Sequence, residues 1–462
     1  MSPAALALLL VLPSATGGRW GVGLSSDVQG GFISVAPGQP TRPTMSTTVT
    51  PQFSLSLQGS PYTLRLAYGM RVFRRFELDP VEAGTPLPNG ELAIRSLDRF
   101  LLLHTLGVSG TARLAAGWSF SSNANITLGE VDVPSAAGYL QNSTGAGTTP
   151  QTPGQPVTAP TTDPSLGGLP TDDGVIETIA VATNAAFSGA LTRDWTLDLI
   201  GTLSHSRPIS APDGSGPGLR FIPIQTNITG ATNLGYKLTS KDTLKLGLTV
   251  GYNLSDFGGD YRALGGTVGW ARRLGAWTTL GVNGGVQYTS VLQQSQNNLG
   301  RALNVGSSFS PLASVTLSTV LANLRWTRWS AGVSGVISQV RNPVAGFIEP
   351  RAGGSVVTSL AFLPAWTVAI NATFTTPASN NTCTPANVSG NAGQALASQF
   401  CLAETNLQVR VPVSYRVGRG FSISAGGAFQ AYAPRFNAQV FGFNNPSYTA
   451  FAQLSIALDQ AM

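Results

Sequence analysis

Residues 62–72 read Tyr-Thr-Leu-Arg-Leu-Ala-Tyr-Gly-Met-Arg-Val. Tyr62, Leu64, Leu66, Tyr68, Met70 and Val72 alternate with Thr63, Arg65, Ala67, Gly69 and Arg71. Successive side chains on a strand point to opposite faces, so this stretch makes a strand with one apolar face and one small, polar or cationic face. The pattern recurs. Leu244, Leu246, Leu248, Val250 and Tyr252 alternate with Lys245, Gly247, Thr249 and Gly251. Leu407, Val409, Val411, Val413 and Tyr415 alternate with Gln408, Arg410, Pro412 and Ser414.

Composition says what the apolar face touches. Only 10% of the 462 residues are charged, against roughly 25% in a soluble domain. The 42% apolar content excludes a disordered chain, and two cysteines exclude a disulfide scaffold. The longest apolar run, Ala4 to Leu12, is too short for a spanning helix, which needs about 20 residues. A chain with this little charge and no long apolar helix meets lipid through a closed β-barrel.

Eight short turns punctuate the alternation: 58–61, 107–110, 191–193, 237–242, 274–275, 326–328, 364–365 and 417–420. Between them lie mostly longer connections, which gives about 18 antiparallel strands in one transmembrane barrel over residues 19–462. The even number is the usual one for bacterial single-chain barrels. Pro412 inside a strand predicts a local bulge. Residues 125–173 read as one long loop, flexible over its Gly-, Pro-, Ser- and Thr-rich part. Residues 1–18 resemble a secretory signal, with a short apolar core and small residues after it, although no basic residue precedes Arg19.

Six tryptophans flank short turns: Trp195, Trp270, Trp277, Trp326, Trp329 and Trp366. Amphipathic rings favour the membrane–water boundary, so they predict an aromatic girdle at the short-turn rim, which in bacterial outer-membrane barrels is periplasmic.

Enzymatic readings find little support. His104 and His205 are the only histidines and sit in no metal-ligand spacing, and no Gly-x-Ser-x-Gly elbow, phosphate-binding loop or dinucleotide fingerprint stands in a strand-to-helix context. No catalytic residue, cofactor, metal or nucleic-acid partner is expected. Cys383 and Cys401 share one loop of an exported chain and predict a disulfide.

Charge placement is more informative. The strand segments hold two thirds of the basic residues but one third of the acidic ones. Arg65, Arg71, Arg113, Lys245, Arg410 and Arg416 fall on polar faces. A cation facing lipid at the bilayer midplane costs about 2–4 kcal/mol, so these six are candidate pore-lining residues of an anion-favouring lumen. The other reading pairs the arginines with Asp98, Glu177 and Asp198 to fill the lumen.

The hairpins Leu191-Thr-Arg-Asp-Trp-Thr-Leu-Asp-Leu and Tyr236-Lys-Leu-Thr-Ser-Lys-Asp-Thr-Leu-Lys-Leu share a Thr/Ser-Lys/Arg-Asp turn followed by renewed Leu alternation. In this style the chain resembles myxobacterial-type outer-membrane β-barrel proteins, some of which look like the 18-stranded porins of Wza-type polysaccharide export. That resemblance implies passage of polysaccharide, or other anionic or sugar-rich chains, with a periplasmic polysaccharide-export protein as partner. The chain departs from outer-membrane barrels in ending Leu-Asp-Gln-Ala-Met462 without a terminal aromatic residue, and it lacks the Pro-Glu-Phe-Gly-Gly constriction motif of general porins. A general diffusion porin and a plugged surface-interaction barrel are the alternative functions. The oligomeric state stays open.

Overall fold

The structure is a computed structural model. It describes residues 17–33, 42–59, 61–79, 98–115, 117–132, 175–209, 224–255, 260–293, 307–324, 327–341, 348–363, 365–377, 405–418, 421–433 and 447–461. Eighteen strands run β1 (Gly17–Ile33), β2 (Arg42–Gln58), β3 (Tyr62–Glu77), β4 (Arg99–Ala115), β5 (Trp118–Asp132), β6 (Val175–Ala190), β7 (Trp195–Pro208), β8 (Gln225–Lys237) and β9 (Asp242–Ser255). They continue as β10 (Asp260–Arg273), β11 (Thr278–Gln293), β12 (Ser308–Leu324), β13 (Thr327–Arg341), β14 (Ile348–Phe362), β15 (Trp366–Pro377), β16 (Thr405–Gly418), β17 (Phe421–Ala433) and β18 (Ser447–Ala461). Each pairs antiparallel with the next, and β18 returns to β1, so the sheet has no free edge. Sheet closure pairs each strand on both sides, which the bilayer core demands. The sheet is thus a closed, all-β antiparallel barrel with the exposed apolar outer face of a transmembrane one.

Period two produces the two faces, and the register carries them around the ring. Leu248 opposes Gly266 and Thr232, while Val268 opposes Leu246. The large apolar side chains on the outward face are uncovered: Leu248 is 62% exposed. Among the described residues, Phe451 is the one buried apolar side chain, at 6% exposure. The apolar free energy of this barrel therefore lies between its outer wall and lipid.

Seven of the eight short turns fall where the alternation places them. The Leu191 and Leu238 turns share one construction. The Leu191 N–H donates to the Trp195 carbonyl and the Leu238 N–H to the Asp242 carbonyl. Thr192 Oγ1 accepts from the N–H groups of Asp194 and Trp195, and Thr239 Oγ1 from those of Lys241 and Asp242. A hydroxyl that closes its own turn explains the recurrent Thr.

The eighth turn is elsewhere. Residues 107–110 lie inside β4, and the chain reverses between Ala115 and Trp118. Gly107 marks a close approach instead of a turn. A Cβ there would stand 2.7 Å from Asn125 Oδ1 on β5. The shift extends β5 to Asp132, so residues 125–132 are strand, and the rest of the segment read as a loop lies outside the described residues. At the other end, Gly17 and Gly18 already belong to β1, and residues 1–16 lie outside the described residues. Pro412 makes no bulge, because it pairs in register with Gly426. It interrupts the ladder on the β15 side, where pairing skips from Val368–Val413 to Asn371–Arg410. A proline has no N–H to give that ladder.

Candidate functional site: the inner wall

The polar face of each strand lies opposite the exposed apolar one, and the register shows which residues share it. Arg65 and Arg71 on β3 occupy the same face as Phe73, Arg75 and Glu77. Arg113 follows on β4, opposite Ser119. Lys245 on β9 stands between Gly235 and Gly269. Arg410 and Arg416 sit on β16, opposite Ala428 and Ser422. All six candidates thus share the inner face, with Arg19, Lys237, Arg273 and Arg351 also on it.

Depth separates them. Most of these cations stand within a few residues of a strand end. Arg71 and Arg410 are the two nearest the middle of their strands. They flank the seam where β18 meets β1. There Asp27 accepts a hydrogen bond from Gln29 Nε2 at 2.6 Å and acts electrostatically on Arg71. Gln29 opposes Phe451. The Phe451 ring lies beneath the Arg410 guanidinium, 4.3 Å from ring centre to Cζ. Gly426 gives the ring its room, since a Cβ there would stand 2.7 Å from Phe451 Cζ. Arg71 lies 5.9 Å from the Phe73 ring centre.

The opposite arc is built differently. Along β7 to β12, short polar side chains lie over glycines of a neighbouring strand. Cβ atoms at Gly235, Gly265 and Gly281 would stand 2.5 Å from Thr196 Oγ1, 2.5 Å from Thr249 Oγ1 and 2.7 Å from Thr316 Oγ1. Asn283 covers Gly269 and donates to Ser314 Oγ at 2.9 Å. Thr202 pairs with Thr229, and Asn253 with Asn227. Much of this arc is a hydrogen-bonded lining of short neutral side chains, with Asp198, Lys237, Lys245 and Arg273 set toward its short-turn end, whereas the seam carries Arg71 and Arg410 at mid-strand.

The acids proposed to neutralise the wall are dispersed. Asp98 accepts the Glu77 N–H at 2.7 Å at the long-loop end of β3. Glu177 opposes Glu130 on the outer face of the barrel. Only Asp198 of the three shares the inner face, beside Ser188 near the short-turn end. Arg95 lies outside the described residues, and Arg99 opposes Arg75.

Trp195, Trp270, Trp277, Trp329 and Trp366 all lie at the short-turn end, and Trp326 lies outside the described residues. The relocated turn adds Trp118, and the start of β1 adds Trp20. Several are tied down at their polar edges or stacked. Trp270 Nε1 donates to Asp242 Oδ1 at 3.1 Å, and Arg272 stands 3.8 Å from the same carboxylate. Trp329 Nε1 donates to Thr358 at 2.8 Å, and Trp366 packs at a tilt against Tyr415, 4.6 Å between ring centres. A second ring, of Phe and Tyr, stands at the long-loop end: Phe32, Phe76, Phe100, Tyr252, Phe309 and Phe374 face outward there. On β15, Trp366 and Phe374 lie about 27 Å apart along the strand at ~3.4 Å per residue. With a tilt of about 40°, that is a belt of about 20 Å. The longer Trp20–Phe32 separation on β1 gives about 31 Å by the same conversion, so the two bracket the usual ~25 Å band.

Cys383 and Cys401 lie outside the described residues. Both histidines face outward. His104 Nδ1 meets Tyr68 Oη and His205 Nδ1 meets Thr226 Oγ1, each at 2.8 Å. Among the described residues, no group of three or more His, Cys, Asp or Glu is placed to hold a metal ion.

Sequence reading missed Phe451, Gly426 and Asp27. The signal for Phe451 was its parity. Ala450, Ala452, Leu454 and Ile456 form the apolar face of β18, and an aromatic ring on the other parity must lie inside.

No family model matches this chain, and no curated protein matches it. Solved structures do. The FrpB iron transporter of Neisseria meningitidis (F5-1 variant) is 11% identical, with 98% of this chain and 84% of that one covered, at a TM-score of 0.50. OpdK of Pseudomonas aeruginosa, solved with vanillate, is 13% identical over 96% of this chain and 99% of that one, at 0.39. OccAB4 of Acinetobacter baumannii is 10% identical over 97% and 99%, at 0.41. At such identities the FrpB likeness concerns the fold alone, that of a large closed β-barrel.

Proposed function

We propose that this barrel is a passive outer-membrane channel whose lumen favours small anionic solutes. The observation that carries the reading is the pair Arg71 and Arg410, central on the inner face, across from an arc whose middle is lined by Thr, Asn and Gly. An 18-stranded barrel encloses an aqueous channel unless a loop fills it. Cations on one arc of a low-dielectric wall raise the local concentration of anions along that arc. The six inner cations line the path, and the tryptophan ring marks its periplasmic mouth.

Polysaccharide export, with a periplasmic export protein below the barrel, is the finer reading from resemblance. The small-solute reading accounts better for the wall. The aromatic rings facing inward with described side chains are Phe73, Tyr261 and Phe451, too few and too scattered to form a stacking track for a sugar chain.

Planar-bilayer recording under a salt gradient tests the channel. The expected result is a steady conductance with a reversal potential on the anion side. Replacing Arg65, Arg71 and Arg410 with Glu moves that potential toward cations. A silent barrel overturns the channel reading in favour of a plugged one, and an unmoved potential overturns the role of these arginines.

A further inference from the structure

The outer wall is not uniform. On the lipid side, a groove of about 590 Å³ crosses β16, β17, β18 and β1 just below the long-loop rim. Its floor is one cross-strand row, Val411–Gly427–Ala450–Gly30, fixed by the pairings of those four strands. Two glycines and an alanine in adjacent strands leave a trough between the larger side chains that border it. Phe429 and Phe32 wall it on the rim side, and Leu78 and Pro43 close its upper end.

A trough this size is too small for a second copy of the chain. Four strands at about 4.8 Å each, by about 15 Å along the strands, give a footprint of about 300 Å². A stable protein interface takes about 800 Å² from each partner. One flexible apolar chain fits both the shape and the lining.

Charge beside the groove identifies the rest of the occupant. Gly30 pairs with Met45, which pairs with Phe76, while Val28 pairs with Thr47, which pairs with Arg74. Arg74 therefore faces outward two strands from β1, and its guanidinium stands 5.0 Å from the Phe76 ring centre. An outward arginine is unfavourable in hydrocarbon and becomes acceptable near the headgroups. At the rim it meets the polar ends of membrane lipids, where anionic groups attract it.

We infer that this groove holds an acyl chain of an anionic outer-leaflet lipid, with its headgroup charge on Arg74. The site lies on the opposite face of the wall from the pore and is independent of what the pore conducts.

The test uses the full barrel in nanodiscs, probed with phosphatidylglycerol carrying a photoreactive acyl chain and, in parallel, with the phosphatidylcholine equivalent. Crosslinks are expected to concentrate in the peptides around Gly427–Phe429 and Gly30–Phe32. Gly30→Leu fills the trough without a clash, because a Cβ at Gly30 meets nothing within 4 Å. That variant should lower crosslinking there about tenfold for both lipids and leave bilayer conductance unchanged. Arg74→Gln should lower it several-fold for phosphatidylglycerol only. Crosslinks spread evenly around the barrel, or unaffected by Gly30→Leu, would overturn the site. Equal crosslinking of both lipids in the parent protein would overturn the role of Arg74. A dimer by native mass spectrometry that Gly30→Leu disperses would overturn the lipid in favour of a second copy.

Discussion

Replacing Phe451 with Leu leaves every charge of the lumen in place and removes only the ring beneath Arg410. The guanidinium lies 4.3 Å above a ring that is almost fully buried, so the aromatic face holds the cation flat against the β17–β18 wall. Cation–π contacts contribute about 0.5–1 kcal/mol when exposed and about 2 when desolvated. Arg410 is half-buried, which puts the contact near 1 kcal/mol. At about 1.4 kcal/mol per tenfold, the held population should fall about fivefold relative to the free one. Single-channel recording reads both consequences. Open-channel noise should rise as the side chain swings into the solute path. The reversal potential should move toward zero, but less than in Arg410→Ala, which removes the charge. Phe451→Leu matching the parent protein in noise and potential would refute the argument, because the ring would then have no part in placing Arg410. Matching Arg410→Ala would refute it in the other direction.

Other expectations follow from single positions. Gly129 has a φ of +148°, and a Cβ there would strike the Leu102 carbonyl. Gly129→Ala should weaken the outer end of the β4–β5 pairing by about 1–3 kcal/mol, read as a lower unfolding midpoint in urea with detergent or lipid present. Leu363 holds a φ of 56° in the β14–β15 turn, so Leu363→Gly should raise stability by about 1 kcal/mol in the same assay. Asp242→Asn weakens the contacts to Trp270 and Arg272 and should raise Trp270 quenching by aqueous acrylamide with little change in conductance. Peptide mapping without reductant should recover Cys383 and Cys401 in one linked fragment, and two free thiols would exclude that disulfide.

Strand number and closure were legible because period two and the spacing of the short turns write them directly into the sequence. What failed was local. Gly107 and Gly110 look like punctuation, yet Gly107 is small because Asn125 leans over it from the next strand. A sequence shows the glycine and not the neighbour that requires it. Pro412 failed for the same reason, since its effect falls on whichever strand faces its missing N–H, here β15. The seam cluster was partly visible. Arg71 and Arg410 could be placed on a face, but β1 and β18 alternate weakly, so nothing in the chain joined Asp27 and Gln29 to Phe451 across the closure. Glu177 shows the limit on charge arguments. The alternative reading that pairs arginines with acids needs it in the lumen, and its register puts it outside.

That Phe451 carries the one buried ring among the described residues bears on how such a chain keeps its shape. An ordinary domain carries its apolar interior with it and can be moved from one solvent to another. Here the counterpart of that interior is supplied by the membrane, and its depth is set by the span from the tryptophan ring to the phenylalanine ring. Stability is then a joint property of protein and bilayer. A thinner or thicker membrane acts on this barrel as a core mutation acts on a soluble protein, and changing the lipid alters the fold's free energy with no residue replaced.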